Sequence, residues 1–177
     1  MIAHVMLCDH AQVADGKLFI NGGDISRFHG PGLPPGTSIA VLMLIPWELT
    51  NAPIVLDLHL LTQDGQPVQD SEGADIGIQA RTEVGRPPGI EPGIPIDLPL
   101  TFHVGGLRLP TGRYMWRLSV NNDTRQAWQL SLTVIIDPGT GSPDLRRTAS
   151  GSADSVACPE IERSRHGSSY DAPRQHR

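Results

Sequence analysis

The sequence predicts an all-β protein, an antiparallel β-sandwich of immunoglobulin-like type with about eight strands. Three observations lead to this prediction. Large apolar residues alternate with polar ones along several short stretches, Gly and Pro cluster between these stretches, and the last two stretches form a hairpin pattern. Alternation places successive side chains on opposite faces of a strand. Short strands separated by regular turn signals are typical of sandwiches, and a β-barrel is the alternative.

The first predicted strands lie within residues 3–28. Alternation over residues 3–13 predicts a strand, Asp15-Gly16-Lys17 predicts a turn, and residues 18–21 predict the returning strand. Gly after Asp adopts positive φ easily, which suits such a turn. Gly22-Gly23 predicts a bulge or a close backbone approach, beyond which the strand continues over residues 25–28.

The middle of the chain predicts four more strands. Residues 39–45 are uninterruptedly apolar, as in a central strand that is covered on both faces or lies at an interface. Residues 54–63 and 76–81 alternate, and the Pro/Gly-rich residues 85–95 are predicted to cross between the sheets. Residues 96–104 have an apolar face, and Pro99 favours an edge position because it lacks a backbone N–H.

The last strands are predicted to be a hairpin over residues 112–136, turning at Asn121-Asn122-Asp123. One face carries Trp116 and Trp128, and the opposite face carries Arg, Gln, Ser and Thr. The apolar face requires a second layer, which the upstream strands must supply.

The chain is predicted to have a β-sandwich domain at residues 1–137 and a disordered tail at residues 138–177. The tail is rich in Gly, Ser, Ala, Arg and Asp, with few large apolar residues. Such a segment buries too little surface to offset the entropy of ordering its backbone, about 1–2 kcal/mol per residue.

Charge and composition restrict the classes of partner. Residues 1–137 contain 8 Lys and Arg against 14 Asp and Glu, a net charge of -6, and residues 138–177 contain 6 against 5, a net of +1. An acidic body argues against nucleic acid. No apolar run reaches the roughly 18–20 residues of a membrane span. The absence of a signal-like start and the presence of only Cys8 and Cys158 predict a cytoplasmic protein.

The opening segment is similar to an uncharacterised family of short bacterial β-proteins, a domain of unknown function. Four short motifs provide the resemblance: Cys8-Asp9, Ala11-Gln12, Asp15-Gly16-Lys17 and Gly22-Gly23. Residues 109–120 are similar as well. The resemblance covers roughly residues 3–136 and implies a small β-sandwich without a known activity or transferable catalytic residues.

No residues are assigned to catalysis, to a metal or to a cofactor. His4, Met6, Cys8 and His10 share one predicted strand face, and these residue types bind soft metals. A strand rises roughly 3.3 Å per residue, so His4 and His10 lie about 20 Å apart and cannot share one ion. The sequence lacks the known hydrolase, zinc-protease and phosphate-loop motifs.

Two carboxylate-containing patterns have simpler explanations than chemistry. Asp57 and His59, two positions apart, resemble a general base with its orienting carboxylate, but no nucleophile accompanies them. Asp70, Glu72 and Asp75 offer oxygens for calcium, but their spacing matches no EF-hand loop. Both patterns are predicted to be solvated surface.

The leading functional hypothesis is a non-enzymatic protein-interaction module of a bacterial cell, with an unknown protein partner or a homo-oligomer. The alternatives are a binder of small ligands or carbohydrates, and a hydrolase or metalloprotein. Trp47 and the loops at residues 29–38 and 85–95 suggest the carbohydrate alternative, because exposed aromatic rings stack on sugars. The candidate interaction surface consists of Arg113, Arg117, Asp57, His59 and Trp47.

Arg113 and Arg117 have two interpretations. Both lie on the polar face of the closing hairpin, about 13 Å apart along the strand. They are expected to pair with carboxylates such as Asp57 or Asp97, which stabilises by only about 0–1 kcal/mol. The alternative is that their forked guanidinium groups bind an acidic or glycan ligand.

Overall fold

A computed structural model describes residues 1–136, which form nine strands and a single turn of 3₁₀ helix, Trp47–Leu49. The predicted tail at residues 138–177 and its boundary lie outside the described residues. No helix within residues 1–136 is long and apolar enough to cross a membrane. The strands are β1 (Ile2–Ala14), β2 (Lys17–Gly23), β3 (Arg27–His29), β4 (Ser38–Ile45), β5 (Pro53–Thr62), β6 (Gly77–Glu83), β7 (Ile96–His103), β8 (Gly112–Val120) and β9 (Asp123–Ile135).

The strands form two sheets that pack on one another. The four-stranded sheet has the order β2-β1-β4-β7, and the five-stranded sheet has the order β3-β9-β8-β5-β6. Two separate sheets confirm the all-β prediction and show that the barrel alternative is wrong. The antiparallel prediction is wrong for one pair, because β3 runs parallel to β9.

The core lies between the sheets and follows the predicted alternation. On β4, the side chains of Ile39, Val41, Met43 and Ile45 are fully buried. On the opposing sheet, Trp116 and Trp128 are buried as the hairpin pattern predicts. Alternate residues of β5 and β8 complete this core. Burial of these apolar faces is the main contribution that stabilises the two-layer arrangement.

The β1–β2 hairpin is longer than predicted, and its turn end extends beyond the part of β1 that pairs with β4. β1 pairs with β4 from Ile2 to Cys8, and with β2 from Cys8 to Ala14. The turn at Asp15 and Gly16 has positive φ at both residues, as predicted. Gly22 has a positive φ, and a Cβ at this position would overlap the Asp9 side chain rather than a neighbouring backbone. The register of β1 and β2 is regular on both sides of Gly22, so the structure shows neither the predicted bulge nor the predicted close backbone approach there.

The segment after Gly23 corrects a prediction. Residues 25–28 were expected to continue the second strand, but the chain leaves the four-stranded sheet and becomes β3 of the other sheet. The backbone N–H of Ile25 still donates to Leu7 of β1, and the N–H of Thr133 in β9 donates to Ser26. Phe28 is buried between the sheets while Arg27 and His29 point outward. A positive φ at Asp24 redirects the chain at this crossing.

β4 occupies the central position that its apolar sequence predicts, between β1 and β7. Its outer face is only partly covered, because Leu42 and Leu44 are half-buried. Of the two predicted alternatives, coverage on both faces is therefore met only in part within the described chain, and a position at an interface stays a prediction. Pro99 lies in the edge strand β7, which confirms its predicted position.

The closing hairpin β8–β9 contains an irregularity. Asn121 and Asn122 both have positive φ, which suits the short turn between the strands. The register shifts between Arg117 and Ser119, so residues 125–128 of β9 bulge out of the ladder. The bulge brings Arg125 close to the start of the chain, where its Nη1 donates to the Met1 carbonyl at 3.0 Å.

Candidate functional site

A cleft of about 570 Å³ lies on the outer face of the five-stranded sheet. Arg27 of β3 and Arg113 of β8 are both direct cross-strand neighbours of Thr133 in β9. Directly paired residues point to the same face of a sheet, so the Arg27 and Arg113 side chains lie on either side of Thr133 on this face. The remaining lining residues are Thr62, Gln63, Tyr114, Met115, Ser131 and Leu132.

The cleft is basic, although the described chain as a whole is acidic. No Asp or Glu lines it, and both arginines are exposed. Within residues 1–136 neither Arg27 nor Arg113 forms an ion pair, whereas Arg125 pairs with Asp123 at 3.2 Å. Arg27 was absent from the predicted surface. Its alternation with Phe28 predicts an outward side chain, but nothing in the sequence indicates which sheet it joins.

Three predicted residues lie further along the same face. His59 of β5 is the direct neighbour of Arg117 in β8, and Asp57 faces Ser119. Asp57 accepts a hydrogen bond from the Gln79 amide at 2.8 Å rather than from an arginine. The expected ion pairs of Arg113 and Arg117 do not form within the part of the chain that the structure describes. Asp97 is on β7 in the other sheet, which rules it out as their partner.

Arg117 differs from the other arginines of this face in its burial. The residue is half-buried, and its Nε atom is shielded from solvent without a hydrogen-bond partner among residues 1–136. An unpaired buried donor is costly, by about 1–3 kcal/mol. Arg117 is therefore held by packing of its stem on the sheet, with part of its donor capacity unused.

Trp47 does not belong to this face. It lies in the 3₁₀ turn after β4, half-buried against the core, and the Arg86 guanidinium carbon lies 4.6 Å from its ring centroid. Arg86 Nε also donates to the Thr50 hydroxyl at 2.7 Å, which fixes the guanidinium over the ring. The ring face that a sugar would stack on is thus occupied by Arg86 on one side.

A Ser–His contact lies on the outer face of the four-stranded sheet. Ser38 Oγ is 3.1 Å from His103 Nδ1 and donates to the Gly36 carbonyl, also at 3.1 Å. The His10 ring stacks on the His103 ring, with 6.2 Å between the two ring centroids. Sequence patterns could not predict this contact, because Ser38 and His103 are 65 positions apart. Ser38 is fully buried, so its hydroxyl is closed to a substrate.

The two remaining candidate ligand groups have structural roles. Within residues 1–136 no three His, Cys, Asp or Glu side chains come together as a metal-binding group. Cys8 is buried and its Sγ donates to the Ser38 carbonyl at 3.3 Å. In the acidic loop, one Asp70 oxygen accepts the backbone N–H groups of Glu72 and Ala74, at 2.8 and 3.0 Å. Asp70 therefore organises the turn.

We expect the Cys8 thiol to be protected from alkylation in the native protein. Burial raises the pKa of Cys8 above its ordinary value of 9.0, and only the thiolate is a strong nucleophile. Iodoacetamide at mildly alkaline pH should label Cys8 at least about a hundredfold more slowly in buffer than in concentrated urea, because labelling requires opening of the sandwich. Mass spectrometry of the Cys8 and Cys158 peptides separates the two thiols. Equal Cys8 rates in buffer and urea would contradict the buried position.

The raised pKa of Cys8 also determines the direction in which the stability of the native state changes with pH. The unfolded chain ionises this thiol more readily than the native state does. The native state is therefore favoured below the ordinary thiol pKa and loses this advantage as the pH rises past it.

The outer face of the four-stranded sheet carries an apolar patch beside an open strand edge. Ile2 is paired with Leu44, and the next rung that faces outward pairs His4, Leu42 and Pro99 in register. Met6 lies on the same face, since it follows His4 by two positions. We call Ile2, Met6, Leu42, Leu44 and Pro99 the apolar patch. β2 begins to pair only at Cys8, so residues 2–7 of β1 have β4 as their one strand neighbour in the described chain.

Comparison with known protein families identifies a family for most of the described chain. A family model described as "Family of unknown function (DUF6941)" matches residues 3–134. The matched range agrees with the range over which the sequence resembles an uncharacterised family. No curated protein matches the chain.

Proposed function

The chain belongs to the DUF6941 family, whose function is unknown, and on its geometry we propose that it is a non-enzymatic protein-interaction module. Its proposed partner is a second copy of the same chain, bound through the N-terminal half of β1 and the apolar patch. The exposed side chains of Ile2 and Met6, beside the half-buried Leu42 and Leu44, are the observation that supports this function.

The exposed apolar side chains are unevenly distributed. Eight large hydrophobic residues are exposed within residues 1–136, and five of them lie on β1 or β2. Ile2 is 54% exposed and Met6 is 37% exposed, beside the half-buried Leu42 and Leu44. The five are Ile2, Met6, Val13, Phe19 and Ile20. Val13, Phe19 and Ile20 lie towards the turn of the β1–β2 hairpin, whereas Ile2 and Met6 lie beside Leu42 and Leu44 on one face of the sheet. Apolar surface of the latter kind marks interaction sites.

The open edge of β1 supports a second copy as the occupant. On the side of β1 away from β4, no backbone hydrogen bonds are found for residues 2–6 in the described chain, whereas the Leu7 carbonyl accepts the Ile25 N–H. Two such edges pair antiparallel about a two-fold axis, and the same surface then serves both protomers. The pairing joins two four-stranded sheets and brings the two apolar patches next to each other. Backbone hydrogen bonds and apolar contacts would then act together, as in strand addition.

Two observations support a non-enzymatic role over the hydrolase alternative. Ser38, whose hydroxyl contacts His103, is fully buried. Asp57, which was considered as an orienting carboxylate, is bound to Gln79 instead. Neither group is available in the arrangement that general base catalysis requires.

The proposal is tested by sedimentation velocity of the full chain over a wide concentration range. The wild-type chain should sediment as a dimer at high concentration. Ile2→Lys combined with Met6→Lys should weaken the association at least about tenfold, because charged side chains disfavour edge pairing and apolar burial. Ile94→Lys is the matched control, since Ile94 is 49% exposed but lies outside β1 and β2, and it should leave the dimer unchanged.

A chain that stays strictly monomeric at all concentrations would overturn the dimer. Equal weakening by the Ile94→Lys control would show that the surface involved is not β1. Melting curves of all variants by circular dichroism confirm that the substitutions leave the sandwich folded, since each of the three positions is at a solvent-facing site.

The proposal also includes an immunoglobulin-like order of the strands and a location in the bacterial cytoplasm. The order β1-β4-β7 against β9-β8-β5 follows the strand neighbours of immunoglobulin-like sandwiches. A hydrogen bond of 2.9 Å from the Tyr114 hydroxyl to the Pro110 carbonyl is a further feature of that type, the tyrosine corner. These features support an immunoglobulin-like fold. A cytoplasmic protein of a bacterium suits the buried free thiol of Cys8, which cell fractionation with an antibody would test.

A further inference from the structure

We propose that the cleft between Arg27 and Arg113 binds a small organic anion, with a phosphate or carboxylate head between the two guanidinium groups. This site lies on the five-stranded sheet, whereas the proposed dimer uses the other sheet. The two proposals are therefore independent and fail separately.

The spacing of the two arginines suits a single oxyanion. Arg27 and Arg113 lie on either side of β9 at the rung of Thr133. Two strand spacings of about 4.8 Å place their backbones about 10 Å apart, and both side chains are long enough to converge on an ion above Thr133. Guanidinium groups bind such oxyanions through paired N–H donors. Ser131 and Thr133 add hydroxyl donors within the same cleft.

The charge distribution favours an anion at this position. Four arginines project from this sheet face, although residues 1–137 have a net charge of -6. They are Arg27, Arg81, Arg113 and Arg117. None of the four forms an ion pair within the described residues. Of the carboxylates on this face, Asp57 is bound to Gln79, and Glu83 lies on β6, two positions from Arg81 and outside the cleft. Like charges on one face repel each other, and a bound anion relieves that repulsion.

The size and lining of the cleft favour a small molecule with an apolar part. A cleft of about 570 Å³ is within the usual range of small-ligand sites, about 300–1,000 Å³. The half-buried Met115 supplies apolar surface beside the polar groups, whereas the Leu132 side chain is buried in the core. An aromatic or aliphatic body can lie along Met115 while the head group contacts the arginines. A concave site with few convergent polar groups fits this ligand better than a broad protein surface does.

The test uses the ¹⁵N-labelled full chain and phenyl phosphate as the probe. Phenyl phosphate has an anionic head and an apolar ring, and neutral phenyl β-glucoside is its matched control. We expect saturable shifts of backbone amide resonances at residues 113–115 and 131–133 with phenyl phosphate. The affinity should fall as salt is added, because the contact is between exposed charges. The glucoside should cause no saturable shift.

Arginine variants locate the site. Arg27→Gln and Arg113→Gln should each weaken phenyl phosphate binding at least about tenfold, since each removes a charge-assisted contact. Arg81→Gln is the matched control, because Arg81 lies on the same face but outside the cleft, and its affinity should stay within about twofold of wild type. All three side chains are exposed, so the melting temperature should be unchanged.

Three results would overturn the inference. The first is the absence of saturable shifts with phenyl phosphate. The second is that the Arg27→Gln and Arg113→Gln variants bind phenyl phosphate as tightly as the wild-type chain does. The third is that the neutral glucoside binds as tightly as phenyl phosphate. The last result would instead identify a carbohydrate-type ligand. None of these outcomes changes the sedimentation result for the β1 surface, so the two tests remain distinguishable.

Discussion

Replacing Trp116 with alanine is expected to lower the free energy of unfolding by about 3–5 kcal/mol and to leave little native protein at physiological temperature. Trp116 is 1% exposed and lies at the centre of the core between the sheets. Its removal leaves a large cavity that neighbouring side chains fill only partly. Because a domain of this size has a total stability of about 5–15 kcal/mol, the loss is a large share of the total. Urea denaturation followed by circular dichroism measures it.

Two variants test the reason for this loss. Within residues 1–136 the Trp116 indole Nε1 is buried without a hydrogen-bond partner. Trp116→Phe therefore keeps most of the apolar volume and removes an unpaired donor, so it should cost clearly less than Trp116→Ala. Ser131→Ala, exposed on the same hairpin, should change stability by less than about 0.5 kcal/mol. A Trp116→Ala loss as small as that of Ser131→Ala would contradict the buried position.

Gly105→Ala is expected to destabilise the protein by about 3 kcal/mol or more, through a steric conflict with backbone atoms. A Cβ at Gly105 would overlap the carbonyl oxygens of Pro34 and Pro35. These carbonyls cannot easily move, because hydrogen bonds join the two loops. The N–H of Val104 donates to Thr37 and that of Gly106 donates to Leu33, both at 3.0 Å. Thermal and urea unfolding of the variant give the magnitude.

The neighbouring Gly106 provides a matched control. Gly106 has φ of +79° and open space around the position of a Cβ. Gly106→Ala therefore costs only the left-handed conformation, about 1–2 kcal/mol. The prediction is wrong if Gly105→Ala and Gly106→Ala are equally stable, because the cost would then be conformational at both positions.

The alternation of side chains predicted much of the fold. The apolar faces of the closing hairpin, including Trp116 and Trp128, are buried as expected. Turn positions such as Asp15-Gly16 and Asn121-Asn122 follow from residues that accept positive φ. Pro99 could be placed at an edge because its missing N–H is a local property. These features depend on short-range chemistry, which the sequence carries directly.

The candidate site was less predictable, because it depends on which strands become neighbours. Arg113 was identified from its own strand, but Arg27 joins it only because β3 crosses to the other sheet and pairs with β9. Asp97 was expected near Arg113 and lies in the opposite sheet. Alternation determines the face on which a side chain lies, but it does not determine the partner strand.

The parallel pair β3–β9 has a consequence for the order of events during protein synthesis. Phe28 is paired with Val134, so 106 residues separate the partners along the chain. At about 5–20 residues per second, a ribosome needs roughly 5–20 s to produce β9 after β3 has been made. β3 has no strand partner during that interval, and its buried Phe28 has no core to enter. Closure of the sandwich at this edge therefore follows translation of the last strand, and the Arg27–Arg113 cleft is completed with it.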